Sequence, residues 1–199
     1  MTSAIVLVDV DGVVADFTGR MLDVVLEETG RRHEVEDVDQ WSIQLALGLP
    51  DEHWRNVVRR IEEPGFASNL RPYPGAVEAV RDIADRHHVF FVTSPWWSST
   101  TWMHDRTDWL VKFFGKTQGR KVVHTSAKQL VVGDVMVEDK AATLAAWERA
   151  DDAASWHGTR RAFLLDRPYN RHVSPSERHL ERLHSLDELV ERSKRRFFE

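Results

Sequence analysis

The residues of this chain best suited to chemistry are four acids in two tight groups. Asp9 and Asp11 sit in IVLVDVDGVVADF (residues 5–17), and Glu138 with Asp139 ends the run VMVED. In an extended strand side chains alternate, so Asp9 and Asp11 point the same way, and Gly12 lets the chain turn at once. Two neighbouring carboxylates repel, and one pKa rises unless a cation lies between them. A hard divalent ion with oxygen ligands, Mg²⁺ above all, is the natural partner. Thr93 and Ser94 close a second apolar run with hydroxyls suited to phosphate oxygens, and Lys128 follows a third. A carboxylate pair, a hydroxyl, a lysine and a second acidic pair, each after a strand, make a phosphoryl-transfer site. Taken singly, DxDG is also a turn, Thr-Ser a helix cap, Lys128 a solvated charge and Glu138-Asp139 a helix start. Their joint order is what carries the reading.

Strands must hold these groups. Apolar, β-branched runs fall at Ala4 to Val10, His88 to Thr93, Lys121 to Thr125, Val135 to Glu138 and Arg161 to Leu165. They are short and apolar throughout, which predicts a sheet covered on both faces, with helical segments between strands. The fold class is α/β with a parallel sheet, whose ligands bind beyond the carboxyl ends of the strands. Helices are predicted over Gly75 to Asp85, over Thr100 to Phe114 with Gly115 as the stop, and over Leu186 to Phe197 behind a Ser185/Glu188 capping box. Lys194, Arg195 and Arg196 complement the dipole of that last helix. Between about Gly19 and Arg71 two helical patterns, near Arg20 to Thr29 and Asp51 to Ile61, occur with no convincing strand. This region reads as a helical insertion after the first strand.

Composition narrows the function. The 199 residues suffice for one domain with a modest insertion, and the net charge of -5 argues against stable nucleic-acid binding. The absence of cysteine excludes thiolate chemistry. With no basic start and no long apolar run, the expectation is a soluble, cytoplasmic protein without a membrane segment. A homodimer is left open.

DVDG, a strand ending in Thr-Ser, a later lysine and an acidic pair after a strand resemble the four motifs of the haloacid-dehalogenase-like hydrolases. Within that superfamily DVDGVVADF, LRPYPGAVEAV, VTSP, AKQLVVGDVMVEDK and DRPYNRH are similar in order to the 5'(3')-deoxyribonucleotidases. The resemblance spans most of the chain and is poor through the insertion. It implies a Rossmann-like sheet flanked by helices, with residues 1–18 and 72–199 as the core and 19–71 as a small helical cap. It implies a Mg²⁺-dependent phosphatase of nucleoside monophosphates that works in two steps. Asp9 would attack phosphorus to give an aspartyl-phosphate; Asp11 would protonate the leaving oxygen and then activate water. Mg²⁺ would be held by the Asp9 carboxylate, the Asp11 main-chain carbonyl and Asp139, with Glu138 or Asp134 behind them. Thr93, Ser94 and Lys128 would hold the phosphoryl oxygens. The chain departs from the pattern at Glu138, usually aspartate in the nucleotidases, and at Ser126, an arginine in the animal enzymes; Val13 matches the nucleotidase branch.

A nucleobase needs a flat apolar surface, and Phe17, Trp41, Phe66, Trp96 and Trp97 lie in or beside the insertion and the site loops. Phe17 and Trp41 are favoured as base contacts. Trp102 and Trp109, seven apart on a helix, read as core, and His104 with Asp108 as a solvated face. Arg171 and His172 follow the last predicted strand and are placed within reach of the site. Three other functions compete: a polynucleotide 3'-phosphatase with the same motifs, a phospho-receiver switch, and an inactive binding protein. The receiver usually has adjacent acids and phosphorylates a later strand, and no motif position is lost as inactivity would require.

Overall fold

The computed structural model describes residues 3–150, 160–173 and 180–194. The apolar runs form β1 (Ile5–Val8), β2 (His88–Thr93), β3 (Val122–His124), β4 (Val135–Glu138) and β5 (Arg161–Leu165). A further edge strand, β6 (Leu180–Leu183), has no such run: Leu-Glu-Arg-Leu buries its two leucines and leaves its charged pair half-buried. All pairings are parallel, in the order β3-β2-β1-β4-β5-β6. The α-helices among the described residues are α1 (Phe17–Thr29), α2 (Ile43–Ala46), α3 (Asp51–Glu62), α4 (Ala76–Ala84), α5 (Trp102–Gly119), α6 (Ala141–Arg149) and α7 (Leu186–Lys194). None is long and apolar enough to cross a membrane.

Period-two alternation sends neighbouring strand residues to opposite faces, and both faces are covered. Val6, Val8, Val89, Phe91, Val135 and Val137 share a core with α4, α5 and α7, while Leu7, Val92, Met136 and Leu164 pack with Leu144 and Trp147 of α6. That two-sided burial is why the runs are continuously apolar.

Local chemistry sets the helix ends. Asp16 caps α1 by accepting from the Gly19 N–H at 2.9 Å. Gly115 does not end α5 but breaks it: with φ 80° and ψ 163° it lies outside helical geometry, and helical residues resume as far as Gly119. The Glu188 carboxylate reaches the His184 N–H at 3.2 Å, one residue before the expected Ser185. Residues 195–197 of the expected last helix lie outside the described residues.

The chain crosses from β1 to β2 and β3 on one side, then returns to β4 on the other. The crevice beyond the carboxyl ends of β1 and β4 is therefore a topological switch point. Before β2 it makes an excursion through α1, α2 and α3, of which α1 and α3 pack together. Departure and return lie side by side: the Asp16 N–H donates to the Arg71 carbonyl at 2.8 Å, and the Tyr73 N–H to the Val14 carbonyl at 2.9 Å.

Candidate active site

Register brings the acids together. Val8 of β1 is paired with Val137 of β4, so Asp9 emerges level with Glu138, and the Asp9 N–H donates to the Val137 carbonyl at 3.0 Å. The chain then winds about Val10, whose carbonyl accepts from the N–H groups of Val14 (2.9 Å) and Ala15 (2.8 Å). Gly12, at φ 76°, makes this turn possible, and a Cβ there would collide with the Asp139 carboxylate and the Tyr169 hydroxyl. Asp9, Asp11, Thr93, Ser94, Lys128, Glu138 and Asp139 all line one cavity of ≈ 780 Å³.

Asp9, Glu138 and Asp139 are buried, with carboxylate oxygens within 4.8 Å of one another. Lys128 Nζ lies 2.6 Å from Asp9 Oδ1 and 2.7 Å from Glu138 Oε2. Burial, then the Glu138 charge, pushes the Asp9 pKa well above the usual carboxylate range, with Lys128 opposing. Burial likewise raises Glu138 and Asp139, the latter also through Asp9. Burial disfavours the charge on Lys128, but Asp9 and Glu138 outweigh it and hold its pKa above the ordinary lysine value. Three crowded carboxylates against one ammonium leave a negative, all-oxygen donor set, which fits a hard divalent cation.

Asp11 has a different partner. Arg106 Nη2 donates to its Oδ1 at 2.6 Å. The guanidinium is fully buried, 5.3 Å from the Trp102 ring centre and 5.7 Å from that of Trp109. Burial raises the Asp11 pKa, with Arg106 acting against it. Thr93 Oγ1 is buried with no hydrogen-bond partner among the described residues, an orphan hydroxyl beside the acids. Ser94 Oγ donates to the Thr125 carbonyl at 3.2 Å.

Five expected positions change. Asp134 does not join the acids: it precedes β4, at the far end of the strand from Glu138, and its Oδ2 accepts from the Ile5 N–H at 2.8 Å. Phe66 does not line the cavity; it is buried against Phe17 and Trp102, with ring centres 6.2 and 6.1 Å away. Trp97 is exposed and also off the cavity, donating from Nε1 to Ser126 Oγ at 2.8 Å. Arg171 turns to Asp166 at 3.0 Å, and neither it nor His172 lines the cavity. Phe17, Trp41 and Trp96 do line it, and so does Trp102, although it is also buried as expected. His104 and Asp108 form an exposed pair at 3.4 Å.

Arg106, Trp54 and Tyr169 are the participants not singled out from sequence. Arg106 had a legible signal: it lies between Trp102 and Trp109 on the apolar stripe of α5, where a charge must find a buried partner. Tyr169 donates its hydroxyl to Asp139 Oδ2, and Trp54 adds another aromatic wall.

A parallel sheet of this order, with acids after β1 and β4, defines the class: the fold is that of the haloacid-dehalogenase-like hydrolases. A Burkholderia xenovorans LB400 protein provisionally described as one superposes with a TM-score of 0.59 at 18% identity, covering 96% of each chain. Residues 3–195 match the family described as "5' nucleotidase, deoxy (Pyrimidine), cytosolic type C protein", and the chain belongs to that family of phosphoric monoester hydrolases. The human 5'(3')-deoxyribonucleotidase, cytosolic type, is 31% identical over 146 residues, 68% of this chain and 70% of that protein. A Bordetella bronchiseptica protein provisionally given the same enzyme name is 30% identical over 173 residues, 84% of this chain and 86% of its own.

Proposed function

We propose that the chain hydrolyses nucleoside monophosphates, deoxyribonucleotides foremost, through an aspartyl-phosphate on Asp9. The observation that carries this is the pairing of Asp9 with Lys128 at 2.6 Å beside a separately held Asp11, beneath a cavity walled by Phe17, Trp41, Trp54 and Trp96. An Asp9 oxygen attacks phosphorus, and the bond from phosphorus to the sugar oxygen breaks. Asp11 gives its proton to that oxygen, which leaves as the alcohol. Asp11 then takes a proton from water, whose oxygen attacks phosphorus; the bond to Asp9 breaks and free phosphate departs. Lys128 and the Thr93 and Ser94 hydroxyls hold the phosphoryl oxygens, and Arg106 keeps Asp11 beside them.

Asp9, Asp139 and the Asp11 main-chain carbonyl would hold Mg²⁺, with Glu138 adjoining; when bound, the ion supplies positive charge against that of the phosphate. Residues 19–71 act as a cap on a core of 1–18 and 72–199, a reading supported by the adjacent exit and return of the chain. The cap aromatics stack on the base. The substrate is a small molecule rather than a polynucleotide, in keeping with the net charge of -5, and the name of the human relative supports a cytosolic setting.

The test is a panel of ribo- and deoxyribonucleoside 5'- and 3'-monophosphates and a 3'-phosphorylated oligonucleotide, assayed with Mg²⁺ and then with EDTA. Mononucleotides should be hydrolysed faster than the oligonucleotide, and EDTA should stop the reaction. Preference for the oligonucleotide, or full activity in excess EDTA, would overturn the proposal.

A further inference from the structure

The segment after β5 reaches both halves of the cavity. Tyr169 is buried there, its hydroxyl on Asp139 Oδ2 and its ring edge-on to Trp41, with centres 5.6 Å apart and planes at 84°. Its neighbour Asn170 donates from Nδ2 to the main-chain carbonyls of Asp139 and Leu165, both at 2.8 Å. Arg182 of β6 locks Asn170 in turn, donating to its Oδ1 at 2.7 Å and to its carbonyl at 3.0 Å. On the other side Gly12 presses so closely that a Cβ would meet both the Asp139 carboxylate and the Tyr169 hydroxyl. The Asp139 carboxylate is therefore held on one oxygen by a donor that is itself immobilised. Trp41, over half exposed, has two partners from the core: the Tyr169 ring on one side and Lys140, whose Nζ is 4.5 Å from its ring centre.

We propose that Tyr169 is a positioning residue that joins the two functions of the site: its hydroxyl presents Asp139 to the metal, and its ring seats Trp41 for the base. This rests on the metal-dependent nucleotidase reading above. A carboxylate free to rotate must be ordered when the cation binds; one already hydrogen-bonded has that ordering in place. Loss of such a supporting partner typically weakens metal affinity by about 10–100-fold. The two roles separate chemically, because Tyr169→Phe removes only the hydroxyl whereas Tyr169→Leu removes the ring as well.

Binding of Mn²⁺ to the metal-free protein, followed by the electron paramagnetic resonance of the free ion, reads the first role without any turnover. Tyr169→Phe should raise the dissociation constant by about 10-fold or more. Its melting temperature in EDTA should fall by about 2–12 °C, the cost of one unsatisfied buried acceptor, with unfolding still cooperative, and its ratio of kcat/KM for dUMP over p-nitrophenyl phosphate should stay at the wild-type value. Tyr169→Leu should weaken Mn²⁺ binding equally and also lower that ratio. Wild-type Mn²⁺ affinity in Tyr169→Phe, or a loss accompanied by the disappearance of cooperative unfolding in EDTA, would overturn the hydroxyl's role. An unchanged ratio in Tyr169→Leu would overturn the ring's. If the wild-type protein itself binds no Mn²⁺, the metal-site reading falls too, an outcome distinct from a wild-type site indifferent to Tyr169.

Discussion

Replacing Lys128 by methionine takes the cation between Asp9 and Glu138 out of the acid cluster while keeping a side chain of similar reach. Lys128 is 7% exposed and lies 2.6 Å from Asp9 and 2.7 Å from Glu138, so neither carboxylate exchanges it for bulk water. Removing one partner of a buried ion pair costs about 3–5 kcal/mol, since the other charge stays buried without compensation. For a chain of 199 residues, at about 2–4 °C per kcal/mol, the metal-free variant should melt roughly 6–20 °C below wild type. The deficit should depend on pH. Burial already raises the Asp9 and Glu138 pKa values, and Lys128 opposes both shifts; without it they rise further. A carboxylate whose folded pKa lies above its unfolded value favours the folded state at low pH and loses that contribution as pH rises through the folded pKa. The melting gap should therefore narrow toward pH 5 and widen toward pH 8, and Mg²⁺ should partly close it at pH 8 by returning positive charge. Calorimetry in EDTA and in Mg²⁺ across that range is the assay. A gap independent of pH, or a metal-free variant as stable as wild type, would refute the electrostatic account of the cluster.

Arg106→Met should cost less than the about 3–5 kcal/mol of breaking a fully buried pair, because the Asp11 side chain it leaves behind is 24% exposed and can turn to water. It should lower kcat by about 100-fold through misplacement of Asp11; denaturant unfolding and steady-state kinetics distinguish this from an unfolding defect, and unchanged kcat would refute it. Phe66→Ala should cost about 3–5 kcal/mol with little change in selectivity, as befits a core residue. Trp41→Ala should cost little stability but lower kcat/KM for dUMP relative to p-nitrophenyl phosphate by about five- to a hundred-fold, the worth of one stacked base. Equal losses on both substrates would assign Trp41 to packing.

The strands and the acids were legible because their signals are local. Period-two geometry made IVLV, HVFFVT and VMVE strands, and the sheet then carried Asp9, Thr93 and Glu138 to one rim. Asp134 follows the same logic in reverse: it precedes β4 rather than closing it, so Val135, Met136 and Val137 separate it from Glu138. Phe66 and Trp97 share the composition of base contacts, and only packing decides that one turns into the core and the other into solvent. Partners distant in sequence escape local pattern: Arg106 reaches Asp11 across 95 positions and Tyr169 reaches Asp139 across 30. The β6 strand is hidden by Glu181 and Arg182, and Arg182 is itself committed to holding Asn170.

The division of labour between Asp9 and Asp11 is tested most directly by rapid mixing of Asp11→Asn with p-nitrophenyl phosphate. Its phenolate departs without a proton, so Asp9 can still be phosphorylated, whereas release of phosphate needs the base that the amide cannot supply. The expected result is a burst of one nitrophenolate per site followed by slow turnover, with acid-quenched protein carrying phosphate on the peptide that contains Asp9. Asp9→Asn should show neither. An Asp11→Asn protein without burst or phosphopeptide, or with phosphate on any other residue, would contradict it.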